Sequence, residues 1–198
     1  KNQIEEKNRD LNDSVNYASK IQEAMLPEVE ILTDLLPNSF VFYKPRDIVS
    51  GDFYWFKETS ESTIYVATAD CTGHGIPGAL MSMIGHSKLN SIVTPRTELT
   101  PGKILGKLDK AVTDSLTNKK YKTQSKDGMD VGLIKVDLAA NKILYAGAFL
   151  NLVKINGEEI TEYKSNRFPI GGGESYQKTD FNTIEIDIIK GDQFYMYS

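Results

Sequence analysis

The spacing of apolar positions changes twice along this chain, and each change marks a different kind of element. Residues 1–26 contain no Pro or Gly, and Ile4, Leu11, Ala18 and Met25 recur every seven residues, with Val15 and Ile21 on adjoining positions. That is the stripe of an amphipathic helix about 39 Å long at 1.5 Å per residue, and Pro27 ends it. Asn and Lys intrude on the stripe, which makes it a poor autonomous coiled coil. Two readings stand: a helix packed on its own domain, or a connecting helix that dimerises and joins the domain to an upstream sensor module.

Residues 28–39 read as a connector around Pro37, Phe40–Tyr43 as a short strand, and Lys44–Asp47 as a turn. Ile48–Asp52 leads into the aromatic run Phe53-Tyr54-Trp55-Phe56, which is core material. Thr63–Ala69 is rich in β-branched residues and reads as a buried strand, with a polar hairpin between the two. Helical spacing then takes over. Ala79, Leu80, Met83, Ile84, Ser87 and Ile92 share a face, with Pro77 as a first helical residue. Thr100-Pro101 opens a second helix, whose apolar face holds Ile104, Leu105, Leu108, Ala111, Val112 and Leu116. The Lys-rich segment 117–128 reads as a loop.

From Met129 the pattern returns to strands: 129–137, 142–148, 150–155, 160–163, 183–188 and 193–198. Asn156-Gly157 is a tight-hairpin signal and Gly171-Gly172-Gly173 a break. Strands, two helices and further hairpin-linked strands predict an α+β fold of antiparallel sheets with helices packed outside them.

Composition narrows the classes without choosing among them. With 198 residues, 40% hydrophobic and 25% charged, the chain can bury one sizeable core. The net charge of −4, without a basic block, excludes general attraction to nucleic acid. No apolar run approaches the roughly 20 residues of a membrane helix, so no membrane contact is expected of these residues. The lone Cys71 excludes an intrachain disulfide and fits a cytoplasmic setting.

Chemistry concentrates between Val49 and Gly78, in V-S-G-D-F-Y-W-F and A-T-A-D-C-T-G-H-G-I-P-G. Asp52 and Asp70 each bound a strand-like run, and the second precedes a glycine-rich turn and a helix start. Carboxylates on rigid strand ends beside an open turn suit a hard divalent cation; the plain alternative is a pair of strand-end aspartates. An unpaired carboxylate after a buried run is costly, which favours a ligand role for Asp70. Arg46 is a candidate for binding a phosphate, its alternative a solvent-facing turn residue beside Asp47. His74 in its glycine turn reads as structural, and His86 as a surface or partly packed helix residue.

Several motifs in order resemble the SpoIIE-like (RsbU-type) branch of the PP2C/PPM metal-dependent serine/threonine phosphatases. They are Asp13–Ala18 with Ile21–Pro27, Pro45–Tyr54, Ala69–Ala79, Asp127–Asp130, Ala146–Ala148, Pro169–Gly172 and Gly191–Tyr195. The resemblance implies an αββα sandwich of two antiparallel sheets over residues 27–198, preceded by a linker helix at 1–26. It also implies a two-metal Mn²⁺ or Mg²⁺ centre. Asp52 and Asp70 would be ligands, Asp70 the bridging one; the Cys71 backbone carbonyl would be another, and Asp130 a further metal-side carboxylate.

Two divalent ions neutralise charge on both sides of a phosphomonoester and activate a water, so no covalent protein nucleophile is required. Relatives continue the strand matching Gln193–Ser198 into a Ser-Asp-Gly motif with another ligand. The expectation is therefore of a C-terminally incomplete fold and part of a metal site. Relatives also carry Asn-Asn-Pro where this chain has Phe149-Leu150-Asn151.

The function implied is a bacterial, cytoplasmic phosphoserine/phosphothreonine phosphatase. Its substrate would be a regulatory phosphoprotein such as an anti-sigma-factor antagonist. The alternative is a catalytically silent, dimeric interaction module on the same fold. A nucleotide site at Gly171–Gly173 is disfavoured because no Lys-Ser/Thr follows.

Overall fold

The computed structural model of the chain describes residues 2–118, 123–173, 176 and 178–198. In chain order the elements are α1 (Asn2–Met25), α2 (Val29–Leu35), β1 (Phe53–Ser60), β2 (Thr63–Cys71), α3 (Gly75–Ile92) and α4 (Pro101–Leu116). Then follow β3 (Thr117–Asn118), β4 (Thr123–Gln124), β5 (Gly128–Asp137), β6 (Lys142–Ala148), β7 (Leu152–Asn156) and β8 (Glu159–Tyr163). The last are β9 (Ile170–Gly171), β10 (Ile184–Asp187) and β11 (Gln193–Tyr195).

The large sheet runs β1-β2-β5-β6-β10, with β9 paired to the start of β5; a second sheet runs β11-β7-β8, and all these pairings are antiparallel. Period-two alternation gives the large sheet two buried faces. Phe53, Trp55, Tyr65, Ala67, Ala69, Met129, Val131 and Leu133 form one core with Leu89 of α3 and Ile104, Leu105, Leu108 and Val112 of α4. Ile134, Val136, Ile143, Tyr145 and Ile186 point the other way, into a second core with Leu152 and Phe194 of the small sheet and with Met196 just beyond it. The helical layer and the two stacked sheets make the α+β arrangement expected from the pattern. The α4 face buries as its periodicity predicts, and the Asn156-Gly157 turn joins β7 to β8 with Gly157 at φ 58°.

Some elements differ from the reading of the sequence. Part of the connector at 28–39 is helical: α2 forms there, burying Leu32. Phe40–Tyr43 pairs with no strand, and Phe40 and Phe42 are 70% and 83% exposed. β-propensity rewards packing on a pleated surface, and this segment has no partner to supply one. Pro77 is the third residue of α3, not the first; its missing N–H is still among the four that no helix satisfies internally. The segment at 117–128 contributes the paired strands β3 and β4, while residues 119–122 lie outside the described residues. Of the two readings of His86, surface or partly packed, the packed one holds: it is buried, with Nδ1 3.2 Å from Asn90 Nδ2 and Phe53 packed edge-on.

Candidate metal centre

The strand register brings the nominated carboxylates together. Asp70 of β2 lies directly opposite Asp130 of β5. The β1–β2 ladder pairs Phe53 with Ala69, so one step further Asp52 stands across from Asp70. Directly opposed residues share a face, with Cβ atoms about 4.5–5.5 Å apart. Their neighbours Phe53, Ala69 and Met129 point into the helix-side core. Asp52, Asp70 and Asp130 therefore form a row on the opposite face, at one end of the large sheet.

The electrostatics of the row follow from its crowding. Burial, the Asp70 charge and a hydrogen bond to Asp70 push Asp52 up to about 6. Burial, and then the Asp70 charge, pushes Asp130 up to about 6. Among the described residues none of the three carboxylates is paired with a Lys, Arg or His. Nor do three or more His, Cys, Asp or Glu side chains among the described residues converge closely enough to hold a metal ion by themselves. The row is open and carries only hard oxygen donors, a set that fits Mg²⁺ or Mn²⁺.

Backbone packing fixes the loops at this end. A Cβ on Gly51 would lie 3.0 Å from Gly73 O and 3.1 Å from Cys71 O; one on Gly78 would lie 2.6 Å from Gly73 O. Only residues without side chains let the Asp52 loop, the turn after Asp70 and the first turn of α3 close on one another. The turn is also tied to β5: Thr72 N–H donates to Gly128 O at 2.9 Å, and Gly128 N–H donates to Thr72 Oγ1 at 3.1 Å. Asp52 is held by its own N–H, which donates to Ser50 Oγ at 3.0 Å, and by Tyr43 OH, which donates to its carbonyl at 3.2 Å. Thr72 and Tyr43 escaped the sequence reading because their partners lie far along the chain or are backbone atoms.

The other nominated residues sit at varying distances from the row. The Cys71 side chain is buried in the helix-side core, and burial, then the carboxylate charges, pushes its thiol far up; its carbonyl lies in the Gly51 contact. His74 stands at the N-cap position of α3 without a side-chain capping bond and lies 3.6 Å from Asp47, which also meets Arg46 at 3.7 Å, all three at the surface. Arg46 is not brought into the row. Beside Asp130 opens a cavity of about 460 Å³ lined by Thr72, Lys126, Phe149, Pro169 and Tyr176 among others.

Known proteins share this sequence pattern and fold. The model of the SpoIIE family (Stage II sporulation protein E) matches residues 60–198. The chain belongs to the SpoIIE family. Phosphoserine phosphatase RsbU of Bacillus subtilis (strain 168) is 33% identical over 113 residues, which cover 54% of this chain and 31% of RsbU. The SiaA-PP2C domain of Pseudomonas aeruginosa superposes with a TM-score of 0.79 at 35% identity, over 96% of this chain and 72% of that one. RsbX in complex with magnesium shares the fold, with a TM-score of 0.52 at 14% identity over 74% of this chain and 64% of RsbX. The chain spans about a third of the length of the curated relatives it matches. This SpoIIE-family chain thus has the fold of PP2C-type phosphatase domains, with its carboxylate row at the end of the large sheet.

Proposed function

We propose that this chain is the phosphatase domain of a bacterial signalling protein, hydrolysing phosphoserine or phosphothreonine on a regulatory protein such as an anti-sigma-factor antagonist. The observation that carries the reading is the row Asp52–Asp70–Asp130 on adjacent strand positions, with Asp52 and Asp130 both pushed up to about 6. Asp70 is exposed and Asp52 and Asp130 are half-buried, and such a set of repelling carboxylates without a basic partner is unfavourable alone and favourable around divalent cations. Asp52, Asp70 and the Cys71 carbonyl, with Asp130, would hold the ions. Two bound Mn²⁺ or Mg²⁺ ions would supply charge neutralisation for the phosphoryl group and activation of a water. The protein side supplies rigidity: strands fix two of the carboxylates, and the Gly51–Gly73–Gly78 contact fixes the third.

The same reading gives the first half of α1 a role. Residues 3–14 are all exposed and present Ile4 and Leu11, a surface suited to a second copy of the helix leading from a sensor module.

The test is hydrolysis of p-nitrophenyl phosphate and of a phosphorylated anti-sigma-factor antagonist by the full-length protein with Mn²⁺. Lewis-acid stabilisation is worth several kcal/mol, so Asp52→Asn or Asp70→Asn should each lower kcat/KM at least about 100-fold. Activity that survives both chelation and the double substitution would overturn the two-metal reading. Absence of any activity in the wild type would favour the silent interaction module.

A further inference from the structure

Gln22 lies in the last turns of α1, where an exposed polar helix residue would be expected, yet it is 6% exposed. Its carboxamide brackets one residue of the Asp52 loop. Nε2 donates to Ser50 O at 2.6 Å, and Oε1 accepts from Ser50 N–H at 2.9 Å. This is the pairing that a neighbouring strand would offer, made here by a side chain to a residue just upstream of β1. Nε2 also donates to Ser82 Oγ of α3 at 2.8 Å, and Ser82 Oγ lies within 2.8 Å of Ala79 O and 3.2 Å of Ser50 O. One turn earlier, Ser19 Oγ donates to Ile48 O at 2.9 Å. Ser50 in turn passes the restraint on, since its Oγ accepts the Asp52 N–H at 3.0 Å.

We infer that Gln22 is a positioning residue for the metal site: its bidentate grip on Ser50 sets the height and direction of the Asp52 carboxylate relative to Asp70. The inference rests on the metal-dependent reading above and adds a residue to it. Chemistry selects glutamine for the task. A single group must donate to a carbonyl and accept from an amide of the same residue, which among side chains of this length only a carboxamide does. Glutamate of equal size keeps the acceptor and loses both donors. Asparagine is one methylene short of Ser50. Methionine keeps the volume and loses every bond. Loss of the grip leaves Ser50 N–H buried without a partner and its C=O with the Ser82 hydroxyl alone, which the loop relieves by moving toward water and carrying Asp52 with it.

The experiment compares full-length wild type, Gln22→Met and Gln22→Glu with Leu105→Ala. Leu105→Ala empties part of the α4 core and serves as a stability control. Mn²⁺ affinity is measured by electron paramagnetic resonance well below every melting temperature. Amide exchange at Ser50 is measured on metal-free protein, and phosphatase activity is titrated with Mn²⁺. Outer-shell partners of metal ligands typically contribute about 10–100-fold in affinity, so Gln22→Met should weaken Mn²⁺ binding by about that factor. It should also speed exchange at Ser50 and raise the Mn²⁺ needed for half-maximal activity, with Gln22→Glu falling between it and wild type. Leu105→Ala should lower the melting temperature and leave Mn²⁺ affinity as in wild type. Unchanged affinity in Gln22→Met, or equal losses in Gln22→Met and Leu105→Ala, would overturn the positioning role while the metal reading stands. Wild type that binds no Mn²⁺ would bring down both.

Discussion

Asp52 and Asp130 are held up to about 6, against 3.8 for a free aspartate, by burial first and the neighbouring Asp70 second. A carboxyl raised in the folded state binds more protons folded than unfolded between those two values. Its contribution to stability is therefore full below about pH 4 and is lost as pH rises through about 6. Metal-free protein should accordingly lose thermal stability across that window. Asp130→Asn should flatten the loss and melt higher than wild type at pH 7.5, as read by melts from pH 4 to 8. Cations binding the ionised row reverse the effect: Mn²⁺ at 100 times its Kd adds about 2.7 kcal/mol, roughly 5–10 °C for a chain of this size. At pH 5 protons compete for the same oxygens, and the rise should shrink. An equal rise at pH 5 and 7.5 would place the bound ion away from these carboxylates. The sequence nominated all three residues, two by their place beside a glycine turn and Asp130 through the family pattern. It left Gln22 as one residue of the linker-helix motif Ile21–Pro27 with no role of its own, because a carboxamide aimed at a backbone 28 residues away cannot be read from neighbouring residues.

Among the elements, the packing of α3 against the Asp52 loop depends on atoms that are missing. Ala in place of Gly ordinarily stabilises a helix interior by up to about 1 kcal/mol. A methyl group on Gly106 of α4 would meet nothing within 4 Å, so Gly106→Ala should raise the melting temperature by a few degrees, about 2–4 °C. Gly78 of α3 inverts the sign, because its Cβ would sit 2.6 Å from Gly73 O and 3.1 Å from Gly51 Cα. Overpacking of that kind costs about 1–3 kcal/mol, so Gly78→Ala should lower the melting temperature by roughly 2–12 °C. It should also weaken Mn²⁺ binding, since the backbone that must give way carries Asp52. Matching gains at the two positions in a thermal melt would show that the close approach is absent. Periodicity located α4 and the β5–β6 and β7–β8 hairpins because their signals are local. It missed α2, a helix of only seven residues between two prolines and too short to show a period, and it made a strand of Phe40–Tyr43 because composition carries no information about a partner.

For the whole molecule, the distribution of burial along α1 separates two roles. Its last turns belong to the domain, where Gln22 is buried and Leu26 packs on the helix-side core, whereas residues 3–14 stand free. The proposed pairing of two copies through that free half has a direct check. Ile4 and Leu11 are 68% and 56% exposed, so Ile4→Lys with Leu11→Lys should leave the fold intact while reducing the mass measured by light scattering from dimer to monomer. Wild type of monomer mass would end the idea. The sequence by itself determined the α+β class, most element positions and the two acidic motifs, because periodicity, turn chemistry and short motifs are written in neighbouring residues. Only the tertiary structure decided that Asp52, Asp70 and Asp130 share one face of adjacent strands. Register across a sheet depends on pairing between segments far apart in the chain: Asp70 pairs with Asp130, and Thr63 of the same strand with Asp137. It alone also decided that the end of α1 grips the Asp52 loop through Ser50, since that contact exists only once helix and sheet are packed together.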